Sequence, residues 1–141
     1  MEVIVQDRQS SKRVDPQEVK EWAERILQHL GLKGRELSVL LVDDSEIREL
    51  NRKYLGRDRP TNVLAFPMEG PQPFPLGDVV ISTETAEREA CERGVSLEEE
   101  MALLLAHGVL HLIGYDHEGD KEEAFMRVKE EEILRVILPG R

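Results

Sequence analysis

Three of the chain's four histidines fall within one short stretch, His107-Gly108-Val109-Leu110-His111-Leu112-Ile113-Gly114-Tyr115-Asp116-His117. Its spacing is H-x-x-x-H-x-x-G-x-x-H. On a helix, residues four apart differ by only about 40° around the axis, so His107 and His111 project from one face within reach of one ion. Gly114 can adopt the left-handed conformation that ends the helix and turns the chain back, bringing His117 in as a third imidazole. Three neutral nitrogens suit zinc and leave a fourth tetrahedral position for water, whereas a structural zinc is usually closed by four protein ligands. Zinc held this way lowers the pKa of its bound water to roughly 7 and polarises a phosphoryl or carbonyl oxygen, so hydrolysis is the natural reaction class. The expected complement is one zinc ion per chain, with His107, His111 and His117 as metal ligands.

Metzincin peptidases share this spacing but carry a glutamate after the first histidine as general base. Here that position is Gly108, and no adjacent carboxylate replaces it, which makes peptidase the second reading. Asp116, next to a ligand, either accepts a proton from water or, as the preferred reading, orients His117. Asp78, in Leu76-Gly77-Asp78, reads first as turn chemistry at a strand start. Thr61 and Asn62 either hydrogen-bond a substrate or satisfy backbone groups at a strand entry.

The elements that must place these residues are legible as patterns. A strand at Glu2–Val5 is followed by a helix capped by Asp15 with Pro16 at its first position, whose face is Val19, Trp22, Ala23, Ile26 and Leu30, with Gly31 as its stop. His29 beside that face reads as structural. Leu37–Val42 reads as a strand, after which Asp44 or Ser45 caps a helix carrying Ile47, Leu50 and Tyr54 inward, ended by the turn Gly56–Pro60. Thr61–Phe66 and Leu76–Ser82 read as strands around PMEGPQPFP, whose four prolines and one glycine forbid regular structure. The pattern then predicts a helix over Thr83–Arg93 closed by Gly94, and a second beginning at the capping box Ser96-x-x-Glu99. That second helix is apolar nearly all round, so it should run through the core with the histidines at its end. An acidic helix from Asp120 to Leu138 follows. The expected fold is α+β, a small mixed sheet flanked by helices with the zinc site at the end of a buried central helix, and residues 1–141 as a single metal-dependent hydrolase domain.

Composition bounds the partners. With 29 acidic against 19 basic residues the formal charge is −10, so binding to a polyanion must be local. Arg48, Arg52, Lys53, Arg57 and Arg59 offer a local patch, diluted by Glu46, Glu49 and Asp58, and read equally well as a solvated helix face and turn. No segment has the apolar length of a membrane span and the N-terminus does not read as a signal peptide, so a cytoplasmic, membrane-free setting is expected. The single cysteine, Cys91, reads as structural rather than catalytic.

HGVLHLIGYDH resembles the signature of the YbeY family of endoribonucleases, and PTNVLAFP and LGDVVIS are similar to two further stretches of that family, in the same order. The likeness covers roughly Asn51 to Asp120. It implies a single-strand-specific RNA hydrolase acting in ribosomal RNA maturation and ribosome quality control in bacteria, with single-stranded or ribosomal RNA and ribosomal proteins as partners. It also implies that His107, His111 and His117 are the zinc ligands. The family often has an arginine directly after the tyrosine that precedes Gly56, where this chain has Leu55. Arg57, Arg59 or Arg52 would then meet the substrate phosphate, Arg59 slightly favoured over Arg57. A non-enzymatic ribosome-assembly partner that keeps its metal site is the third reading. Oligomeric state is left open.

Overall fold

Two strands, β2 (Leu37–Val42) and β4 (Gly77–Ser82), are apolar along nearly their whole length because both faces of each are covered. They pair in parallel at the centre of a four-stranded sheet of order β1-β2-β4-β3, in a computed structural model that describes residues 3–32, 34–68, 75–115 and 119–140. The strand β1 (Val3–Asp7) adds in parallel at one edge, and β3 (Val63–Pro67) pairs antiparallel to β4 at the other. The α+β expectation holds, with a mixed sheet. β1 ends two residues later than Glu2–Val5, because Gln6 and Asp7 continue the register opposite Leu40 and Leu41, and Glu2 lies outside the described residues.

The alternation of strand residues divides the core. Val39, Leu41, Val79, Ile81, Val63 and Ala65 face one side, where α1 (Pro16–His29), α4 (Leu97–Leu112) and α5 (Asp120–Ile137) build the main core. Leu40, Val42, Leu64, Phe66 and Val80 face the other, against α2 (Asp44–Leu55). The remaining helix, α3 (Thr83–Arg93), packs beside α4. Among the described residues no helix is long and apolar enough to cross a membrane.

The second helix departs from expectation in its cap and in its inward face. Asp43, not Asp44 or Ser45, is the N-cap of α2, and the backbone N–H of Asp44 is instead capped from a distance by Glu84 Oε1 at 2.7 Å. The Asp44 carboxylate accepts hydrogen bonds from Ser82, Thr85 and Arg88, tying the start of α2 to the start of α3. Tyr54 is also not inward. It is 57% exposed at the end of α2, its ring 5.3 Å from Phe66, while Asn51, one turn after Ile47, takes the buried position. Cys91 is exposed on α3.

The path of α4 explains how the histidines are carried. Ser96 Oγ accepts from the backbone N–H of Glu99 at 3.1 Å and fixes its start. Its middle is buried against β3, β4, α1, α3 and α5. Gly114, at φ 101°, ends it, with Tyr115 N–H donating to Leu110 C=O and Gly114 N–H to His111 C=O, the paired bonds of a Schellman stop.

Candidate metal centre and its basic wall

One turn apart at the C-terminal end of α4, His107 and His111 aim their rings at each other, and the two Nε2 atoms lie 3.1 Å apart. Two nitrogens each about 2.0–2.1 Å from one tetrahedral ion would be about 3.3 Å apart, so this pair has the spacing of two donors to a single metal. The remaining ring nitrogen of His107, Nδ1, is 2.5 Å from Glu130 Oε2 on α5. The third expected ligand, His117, and Asp116 lie outside the described residues; among the described residues no group of three His, Cys, Asp or Glu converges to hold an ion.

The fold leaves no room for a side chain at position 108. A Cβ built on Gly108 would lie 2.6 Å from Val79 Cγ1 and 3.1 Å from its Cγ2. The glycine therefore lets α4 settle directly on β4, and the direction that a glutamate would take there is filled by the sheet.

In front of the histidines is a cleft of about 330 Å³, whose other wall is the turn that follows α2. Gly56 takes the left-handed conformation at φ 70°, ends α2 and starts that turn. Arg57 and Arg59 both line the cleft. Buried Asn51 holds the turn from inside: its Nδ2 donates to Arg59 C=O at 3.0 Å, and its backbone C=O accepts from Arg57 N–H at 3.3 Å. The rest of the basic cluster behaves otherwise. Arg48 pairs with Asp58 at 2.8 Å and Arg52 with Glu49 at 2.9 Å on the exposed surface, and neither lines the cleft. The patch is thus divided, with a solvated, self-neutralised helix face on one side and two cleft arginines on the other. Leu55, half exposed, also lines the cleft.

Thr61 and Asn62 border the same cleft. Asn62 is engaged by the fold: Oδ1 accepts from Val63 N–H at 2.7 Å and Nδ2 donates to Glu89 at 3.0 Å. Asp78 lies elsewhere, in a groove with Tyr54, Phe66 and Val80 on the sheet face that carries α2. His29 hydrogen-bonds Glu132 at 2.5 Å and ties α1 to α5, in keeping with a structural role.

Behind His107 is a second groove, lined by Glu89, Glu92, Arg93, Glu100 and Glu130. Burial pushes the Glu100 carboxyl above the usual carboxylate range, more than the attraction of its partner Arg93 brings it down. His107 therefore stands between a basic cleft and an acidic one.

Sequence reasoning passed over Asn51 and Glu130. Asn51 carried a signal, a polar residue four after Ile47 on the inward face of α2. Glu130 carried none, because it is one of many acidic residues in the last helix and only the packing of α5 on α4 singles it out.

Comparison with known proteins agrees with this architecture. A family model described as endoribonuclease YbeY matches residues 4–137. The chain is 52% identical over 128 residues to a protein of Aquifex aeolicus named endoribonuclease YbeY, covering 87% of this chain and 84% of that one. It is 46% identical over 144 residues to a protein of the same name from Geobacter metallireducens, covering 97% and 96%. The solution structure of TM1509 from Thermotoga maritima superposes with a TM-score of 0.69 at 28% identity, over 96% of this chain and 90% of that one.

Proposed function

Because the chain belongs to the endoribonuclease YbeY family, we propose that it is a zinc-dependent endoribonuclease that cuts single-stranded RNA in the cleft between α4 and the Arg57–Arg59 turn. The observation that carries this reading is the meeting, in one cleft, of two converging imidazoles and two arginines. His107, His111 and His117 would hold the ion, which supplies Lewis acidity toward water and a phosphoryl oxygen. The donor set fits: the two described ligands present Nε2 atoms at a spacing suited to one ion, and a carboxylate backs the first.

Arg57 and Arg59 grip the scissile phosphate. A guanidinium offers paired N–H donors to phosphate oxygens and keeps its charge at any working pH, so it neutralises charge that builds on those oxygens as the bond breaks. Two such groups at one cleft also explain how a chain of net charge −10 engages a polyanion. Arg52, spent on Glu49, drops out as the replacement for the arginine missing at Leu55. Asp116 is kept as the residue that orients His117. Action on ribosomal RNA, in its maturation and in ribosome quality control, is part of the same proposal, as the motif resemblance implies.

Peptide hydrolysis is disfavoured by Gly108, whose Cβ direction is occupied by Val79. The two chemistries are separated by incubating metal-loaded protein with a single-stranded ribosomal RNA fragment and, in parallel, an unstructured protein. RNA cleavage that a chelator abolishes supports the proposal; metal-dependent cleavage of the protein alone would replace it with a peptidase. Cleavage of neither, with binding to ribosomal components that survives metal removal, would leave a non-enzymatic assembly partner.

A further inference from the structure

Glu130 is mostly enclosed. It lies on the inward side of α5, four residues after Met126 and three and four before Ile133 and Leu134, all buried, and its own side chain is only 12% exposed. Glu89 and Glu100 line the same groove.

Its contact with α4 is to His107. A carboxylate oxygen is an acceptor, so the 2.5 Å contact places Nδ1 of His107 to donate. In a neutral imidazole with its proton on Nδ1, the lone pair is on Nε2. Nε2 is the atom that faces His111 across 3.1 Å. The helix packing that encloses Glu130 thus sets an acceptor against one ring nitrogen of His107 while the other faces His111.

We propose that Glu130 is a positioning residue that fixes His107 as the Nδ1–H tautomer and so sets the affinity of the site for its divalent ion. It acts through His107 and touches neither ion nor substrate. The proposal rests on the metal reading of the site, but its first consequence concerns the metal-free chain.

The experiment uses full-length protein labelled with ¹⁵N at histidine and stripped of metal, in which long-range ¹H–¹⁵N correlations report which ring nitrogen bears the proton. Zinc affinity is measured on the same samples by competition with a chromophoric chelator, and far-ultraviolet circular dichroism establishes that each variant is folded. His107 should be the Nδ1–H tautomer in the native chain and lose that preference in Glu130→Ala, whose zinc affinity should fall about 10- to 100-fold. Glu130→Gln, which keeps an acceptor but no charge, should hold the tautomer and fall between. Glu132→Ala, on the same helix as Glu130, which removes the ties to His29 of α1 and to Lys129, should bind zinc within about twofold of native. An Nε2–H tautomer in the native protein, or equal zinc affinity in native and Glu130→Ala, would overturn the positioning role. A native chain that binds zinc no tighter than His111→Ala would instead remove the metal reading, and the proposal with it, whatever the tautomer.

Discussion

Gly108 of α4 rests on Val79 of β4 so closely that a single added carbon would lie 2.6 Å from Cγ1 of the valine. Val79 is fully buried and β-branched, so it has little freedom to move aside. Gly108→Ala should therefore destabilise the protein by about 1–2 kcal/mol, overpacking outweighing the gain in helix propensity. Chemical denaturation checks this, and a more stable Gly108→Ala would show that the helix–sheet contact is slack. Gly108→Glu, which restores the peptidase pattern, should fail to fold or to cleave protein.

The division of the basic cluster gives a second prediction. Arg57→Ala and Arg59→Ala should each lower RNA cleavage roughly 10- to 100-fold, because each removes charge from the cleft wall. Arg52→Ala should stay within about twofold, its guanidinium being engaged by Glu49 on the surface. Initial cleavage rates of the three variants test it, and equal losses in all three would mean that the patch acts as an undivided field.

Asn51 should matter for both stability and activity. Asn51→Ala removes the interior tie to Arg59 C=O and should cost about 1–2 kcal/mol. Well below the unfolding transition, where nearly all molecules are folded, cleavage should still fall, because the turn bearing both arginines has lost its anchor. Paired thermal melts and cleavage assays separate these effects.

The fold was legible wherever local chemistry agreed with packing. The strand Leu37–Val42, the helix Thr83–Arg93 and the stop at Gly114 stand as their patterns imply, because caps, glycines and periodicity act within a few residues. Tyr54 misled because the apolar stripe of α2 continues past the part of the sheet able to cover it, and a polar residue, Asn51, occupies the last buried turn. In the site, histidine spacing was readable because α4 alone sets it. Glu130 was invisible because its role depends on a helix 23 residues away in sequence packing back on α4. The choice between Arg52 and the cleft pair likewise depends on where Gly56 redirects the chain.

Two carboxyls give stability opposite dependences on pH. Burial pushes Asp44 up, but hydrogen bonds from Ser82, Thr85 and Arg88 outweigh it and hold the carboxyl below its usual range. Its contribution is therefore present above the ordinary aspartate value and is lost as pH falls below about 4. Asp44→Asn should be less stable than native by roughly 1–3 kcal/mol at pH 7, with the difference shrinking toward pH 3. Glu100 is raised by burial beyond what Arg93 recovers, so its contribution is present at low pH and lost as pH rises through the raised value. Glu100→Gln should compare best with native at neutral pH. Denaturation at pH 3, 5 and 7 reads both, and parallel curves for native and variants would refute the assignments.

The central claim, that two helix-borne imidazoles and His117 hold a metal that cuts RNA, is tested most directly by titrating zinc into metal-free protein while following cleavage of a single-stranded ribosomal RNA fragment. Cleavage by the native chain should rise with added zinc and level off at one ion per chain, and His111→Ala should show none at any zinc level. Cleavage that is undiminished in metal-free protein or in His111→Ala would contradict the account.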